Sequence, residues 1–169
     1  MAYTICNLDK MSGTEDSSLL VSLRYFDSEN KEAAIENGSV VQLGDLLDGE
    51  GELYKASAPK SGAKVNDLVL VSSPEIIYDQ TRHHNLDEYI NEAGHNCRGY
   101  HFHSGDGFSI TKEGFSGTPA KGNYVSVTAD STKFKVSATA PAASDISIGK
   151  IIDVRTYKNV VYYYIRVSV

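Results

Sequence analysis

All five histidines of the chain fall between His83 and His103, and Cys97 lies among them. Imidazole and thiolate both bind zinc, so His83 or His84, His95, Cys97, His101 and His103 form a candidate metal set. Their spacing reproduces no recognised metal motif. His101 and His103, two apart, share one side of a strand, while a helix between His84 and His95 would hold the first pair away from the rest. Convergence needs the chain to fold back at Gly94. The competing reading makes these side chains polar residues on a rim or at a subunit contact.

Acid–base chemistry is the second possibility, since His101 or His103 titrates near neutrality and Asp106 or Glu92 could orient the ring. Against it, Gly105-Asp106-Gly107 is turn composition between Tyr100-His-Phe-His103 and Phe108-Ser-Ile110, where Asp106 serves only the backbone. Cys97 adjoins Arg98, which favours a thiolate, but a lone cysteine is by default a buried, inert thiol, and Cys6 adds nothing to the argument. The chain has no Gly-x-Ser-x-Gly elbow, phosphate loop, dinucleotide fingerprint or His-Glu-x-x-His. No catalytic residue, metal or cofactor is assigned, and a small metal-dependent hydrolase centred on His95, Cys97, His101 and His103 stays as the enzymatic competitor.

Tyr162-Tyr163-Tyr164 carries a different chemistry. On a strand, Tyr162 and Tyr164 face one way and Tyr163 the other, so one side joins a core and the other presents amphipathic rings, with Tyr157 nearby across a hairpin. Tyrosine suits protein contacts because its ring packs while its hydroxyl stays wet. These four residues are the candidate protein-contact set. Base stacking would use similar rings, but Arg155, Lys158 and Arg166 give only a sparse basic surround.

The elements that must position these groups read as strands. Short extended runs cover residues 19–26, 40–43, 51–56, 67–71, 75–78, 107–111, 124–128, 133–136, 150–157 and 160–169, punctuated by Gly, Asp and Pro. In Lys133-Phe-Lys-Val136 the alternation puts Phe134 and Val136 inward. Lys158-Asn159 joins two strong strand patterns and predicts a C-terminal hairpin. One short helix is expected at 85–93, capped by Asn85, with Leu86, Tyr89, Ile90 and Ala93 on one face and Gly94 ending it. Residues 27–37 admit a second helical turn without a broad apolar stripe. Residues 1–18 are small and polar and read as an N-terminal arm.

The 169 residues suit a single domain, 19–169, after that arm. The fold expected is mainly β, a small sandwich or barrel-like domain. Two cysteines cannot make a disulfide framework, and no apolar run nears the ~20 residues of a membrane helix. Residues 1–60 hold 11 acids against 5 Lys and Arg, whereas 61–169 hold 11 of each, so the whole net charge of −6 belongs to the first third. That field disfavours attachment to a phosphate backbone.

From Asn37 to Val169 the chain resembles the capsid decoration, or head-stabilising, proteins of tailed bacteriophages. The resemblance is carried by Gly38-Ser-Val-Val-Gln-Leu-Gly44, Glu52-Leu-Tyr-Lys-Ala56, Leu68-Val-Leu-Val71 with Glu75-Ile-Ile-Tyr-Asp79, Leu86-Asp-Glu-Tyr-Ile90, Gly105-Asp-Gly-Phe-Ser-Ile110 and the β-rich tail. It covers about three quarters of the chain in texture and order and assigns the histidines no role. It implies a non-enzymatic virion component, present as a homo-oligomer on the outer surface of the capsid after assembly in the host cytoplasm. Its partner would be the major capsid protein, with neither nucleic acid nor membrane bound directly. A carbohydrate- or host-surface-binding module is the non-enzymatic competitor, since exposed Tyr and His loops also suit sugars.

Overall fold

The computed structural model describes residues 2–77, 81 and 85–169. Among these residues twelve strands form two bodies: β1 Cys6–Lys10, β2 Leu20–Tyr25, β3 Val40–Leu46, β4 Leu53–Ser57, β5 Leu68–Val71, β6 Cys97–His101, β7 Gly107–Ile110, β8 Phe115–Ser116, β9 Tyr124–Val127, β10 Phe134–Ser137, β11 Ile146–Tyr157 and β12 Val160–Val167. Strands β2-β4-β3-β5-β6 close a small barrel, and β1-β7-β12-β11-β9-β10-β8 make an open sheet. The domain is therefore mainly β and contains a barrel, with helix limited among the described residues to single 3-10 turns. None of these is long and apolar enough to cross a membrane.

The four-residue apolar run Leu68-Val-Leu-Val71 explains how the bodies join. Every side chain of β5 is buried, yet successive residues point to opposite faces. Val69 and Val71 fill the barrel with Leu23, Ile35, Val41, Ala56 and Cys97. Leu68 and Leu70 point outward into a larger core with Phe108, Ile110, Phe134, Ile151 and Ile165 of the sheet. The barrel interior is tight at Gly99, where a Cβ would come within 2.7 Å of Leu23 and 2.9 Å of Val69. Between the bodies, Phe102, Phe108 and Phe134 pack with ring centroids 5.6–6.3 Å apart.

The segment expected as an arm is part of the fold. β1 pairs antiparallel with β7, Cys6 opposite Ile110, and Met11 is 2% exposed in the larger core. Thr4 donates through its backbone N–H and hydroxyl to Glu36 Oε2 at 3.0 and 2.8 Å. The polarity of 1–18 comes from its outward residues; Cys6, Leu8 and Met11 pack against the core.

The helix expected at 85–93 is one 3-10 turn, Leu86–Glu88, after which Tyr89 is extended. Tertiary pairing overrides the helical pattern. Asn91 exchanges both backbone hydrogen bonds with Ile35, at 2.9 and 3.0 Å, and its buried side chain donates to the Ile35 carbonyl and Asn37 Oδ1. Residues 27–37 likewise form turns and an isolated bridge of Phe26 with Glu32 rather than a helix. Among the described residues, 75–77 pair with no strand, and Tyr78 lies outside them.

The C-terminal hairpin forms as the sequence predicts. Tyr157 opposes Val160, and Lys158 and Asn159 take φ values of 47° and 66°, the left-handed pair that a two-residue type I′ turn requires.

Candidate functional site

The histidine–cysteine set does not converge. Cys97 opens β6 opposite Leu23, inside the barrel, and His101 closes it opposite Val69, about 13 Å further along at ~3.3 Å per strand residue. The Cys97 thiol donates to the His95 carbonyl at 3.6 Å, and burial pushes its pKa up to about 11, against a smaller opposing effect of Arg24. His95 is exposed on the rim of a cavity of about 620 Å3 that Ser73, Pro74, Ile76 and Tyr89 also line. His101 is half-buried, its pKa lowered first by that burial, with a hydrogen bond to the Asn66 backbone and the charge of Asp67 acting the other way. His103 is exposed in the following turn. Among the described residues, no three His, Cys, Asp or Glu side chains are placed to hold a metal ion. His83 and His84 lie outside those residues.

Asp106 is a fastener. It is 2% exposed, and its carboxylate accepts from the Ser12 N–H at 3.0 Å, the Ser12 hydroxyl at 2.6 Å and the His103 N–H at 3.0 Å. It orients the turn backbone, as its Gly-Asp-Gly setting suggests, and also ties down the chain after β1. That second role was invisible in the sequence because Ser12 is 94 residues away.

The four tyrosines do gather on the C-terminal hairpin. Pairing of Tyr164 with Asp153, Tyr162 with Arg155 and Val160 with Tyr157 places all six on one face; Tyr163, opposite Val154, is on the other. Tyr163 packs edge-on against Phe115, centroids 5.7 Å apart, at the margin of the core. On the solvent face the Arg155 guanidinium lies 4.9 Å from the Tyr164 ring centroid while Arg155 Nε holds Asp153 at 2.9 Å. That bond draws the Asp153 pKa below the usual carboxylate range. Tyr162, on the same face, is nonetheless buried to 9% exposure. Its phenol pKa rises, first through burial; a hydrogen bond with Asn7 opposes the rise and the charge of Glu75 adds to it.

Beside this hairpin the sheet leaves a gap. β7 stops at Ile110, opposite Tyr163, and the chain turns off through Thr111 to Gly114. β12 runs back three residues further, so its Val160–Tyr162 edge has no strand partner on the β7 side among the described residues. On the far side Ile5 stays paired with Thr111, its N–H donating to Thr111 Oγ1 at 3.2 Å. A groove of about 740 Å3 opens beyond the end of β7, walled by Tyr3, Leu86, Tyr157, Val161, Tyr162 and Tyr163 among others. Tyr157 is 64% exposed, Leu86 47% and Val161 40%. Unpaired strand backbone beside tyrosine and aliphatic walls is the chemistry of a protein contact, in which an extended segment adds to the sheet edge.

Comparison with protein-family models, with curated proteins and with solved structures found no match.

Proposed function

We propose that this chain is a non-enzymatic structural protein that binds the outer surface of a tailed-phage capsid and stabilises the shell. The observation that supports it is the groove at the end of β7, where the free edge of β12 meets Tyr157, Val161 and Tyr162. A surface loop of the major capsid protein laid there would gain backbone hydrogen bonds from β12 and aromatic burial from the tyrosines. Repetition over the shell makes the effect large. Each copy, a member of a homo-oligomer in this reading, binds only the assembled state, so occupancy raises the free energy of opening the shell by mass action and avidity. No catalytic residue enters.

Co-sedimentation with intact phage capsids, set against unassembled capsid protein, tests the proposal. Wild type is expected in the capsid pellet, and Val161→Asp is expected to weaken binding by at least about tenfold, since a carboxylate placed in an apolar contact must be desolvated. Failure of the wild type to bind either form overturns the proposal.

A further inference from the structure

The solvent face of the open sheet carries a charge pattern that the groove does not use. Across four strands Lys10 opposes Gly107, Gly107 opposes Arg166, Arg166 opposes Lys150, and Lys150 opposes Tyr124. Directly opposed residues project from the same face, so three cations share one row, and all three are exposed. Like charges facing each other across a ladder destabilise it. Among the described residues none of the three is in an ion pair; Lys150 only rests its ammonium 4.1 Å from the Tyr124 ring centroid. Lys121 and Arg155 add two cations beside this row, both directed at Asp153, at 3.8 and 2.9 Å. Other carboxylates border the face: Asp9 is bonded to the Ser109 hydroxyl, Asp145 accepts from the Lys135 ammonium at 2.8 Å, and Glu75 acts on the Tyr162 phenol. A protein of net charge −6 thus presents a basic, tyrosine-bearing face.

The complement is on the other body. The tip joining β3 to β4, residues 44–52, contains Asp45, Asp48, Glu50 and Glu52 with no Lys or Arg, and all four acids are exposed. Among the described residues none of the four is in an ion pair. Leu46 projects from the same tip at 42% exposure. Each patch has the charge that the other lacks, and both carry apolar groups able to pack together.

We infer that the acidic β3–β4 tip of one copy docks on the basic face of the open sheet of a second copy. The carboxylates meet Lys10, Lys150 and Arg166, and Leu46 packs on the Tyr124 and Tyr164 rings. A contact that set either patch against its own copy would repel, so only unlike patches meet. Unlike patches pair either reciprocally, as a two-fold dimer, or head-to-tail, which closes into a ring or extends as a chain. The contact rests on the homo-oligomer of the proposed function, and the two are separable: a monomer that still co-sediments with capsids defeats the docking and the oligomer while capsid binding itself stands.

Sedimentation velocity of the full chain over a concentration series tests it. Reversible assembly is expected at about 0.05 M NaCl, weakened by at least about tenfold at about 0.5 M as the charges are screened. Asp48→Lys/Glu50→Lys and, separately, Lys150→Glu/Arg166→Glu should each be monomeric, with circular dichroism confirming that they are folded. An equimolar mixture of the two should associate again, because the unchanged basic face of the first variant meets the unchanged acidic tip of the second. A wild-type monomer throughout the series, reversed variants that assemble like wild type, or a mixture that stays monomeric overturns the inference. So does a basic face that binds a single-stranded oligonucleotide through Lys150 and Arg166 while the chain alone stays monomeric.

Discussion

The ring of Tyr164 lies against Gly107 of the neighbouring strand, so close that a methyl group at residue 107 would overlap the phenol. The absent side chain lets the ring lie down on the sheet, within reach of the Arg155 guanidinium. Gly107→Ala is expected to lift the ring and cost about 1–2 kcal/mol, the usual scale of a local overpacking. The same substitution in a Tyr164→Ala background should cost much less, and urea unfolding of the four proteins of that cycle measures the coupling.

The three phenylalanines between the bodies belong to one core shared by the barrel and the sheet, which should therefore unfold together. Phe108 and Phe134 are fully buried, and both pack in the core that also holds Leu68 and Leu70 of the barrel. Phe108→Ala is expected to cost about 3–5 kcal/mol through lost burial and the cavity left behind. Because the core is shared, the loss should appear as one earlier transition, seen alike by tyrosine fluorescence and far-ultraviolet circular dichroism. Two separate transitions would show that the bodies unfold independently.

Local chemistry made part of this fold legible. The Lys158-Asn159 turn and the alternation in Lys133-Phe-Lys-Val136 depend on neighbours in sequence, and both hold in the structure, with Phe134 fully buried and Val136 packed against the core. What failed depends on distant partners. β1 is polar at alternate positions and looked like an arm because its partner, Ile110, is more than a hundred residues away. Residues 85–93 satisfied a helical period, but Asn91 pairs with Ile35 instead. The gathering of the tyrosines on one hairpin was readable from their spacing on strands, whereas the groove beside them was not. It exists because β7 ends where β12 continues, a mismatch of strand lengths that no local pattern encodes.

Both thiols should be chemically silent in the folded protein. Cys6 is 5% exposed and Cys97 3%, and burial pushes their pKa values up to about 12 and about 11. The thiolate is the reactive form, so at pH 8 each is almost wholly protonated as well as shielded. Iodoacetamide labelling followed by mass spectrometry is expected to leave the native chain unmodified and to modify both cysteines in denaturant. Rapid labelling of Cys97 in the native state would refute its place inside the barrel.

His101 gives the fold a pH dependence whose sign follows from its position. Burial at the end of β6 disfavours the imidazolium and lowers the folded-state pKa, and the Asn66 backbone and Asp67 only partly offset it. The unfolded chain therefore binds the proton more readily than the native one, and stability rises with pH between the two values. The contribution is complete above the unfolded value of about 6.5 and is lost as pH falls through the folded one. His101→Gln keeps a polar side chain at residue 101 but removes the titration. Between pH 7 and pH 5 its urea midpoint is expected to fall less than that of the wild type. Parallel profiles for the two proteins would show that His101 stays as easily protonated folded as unfolded.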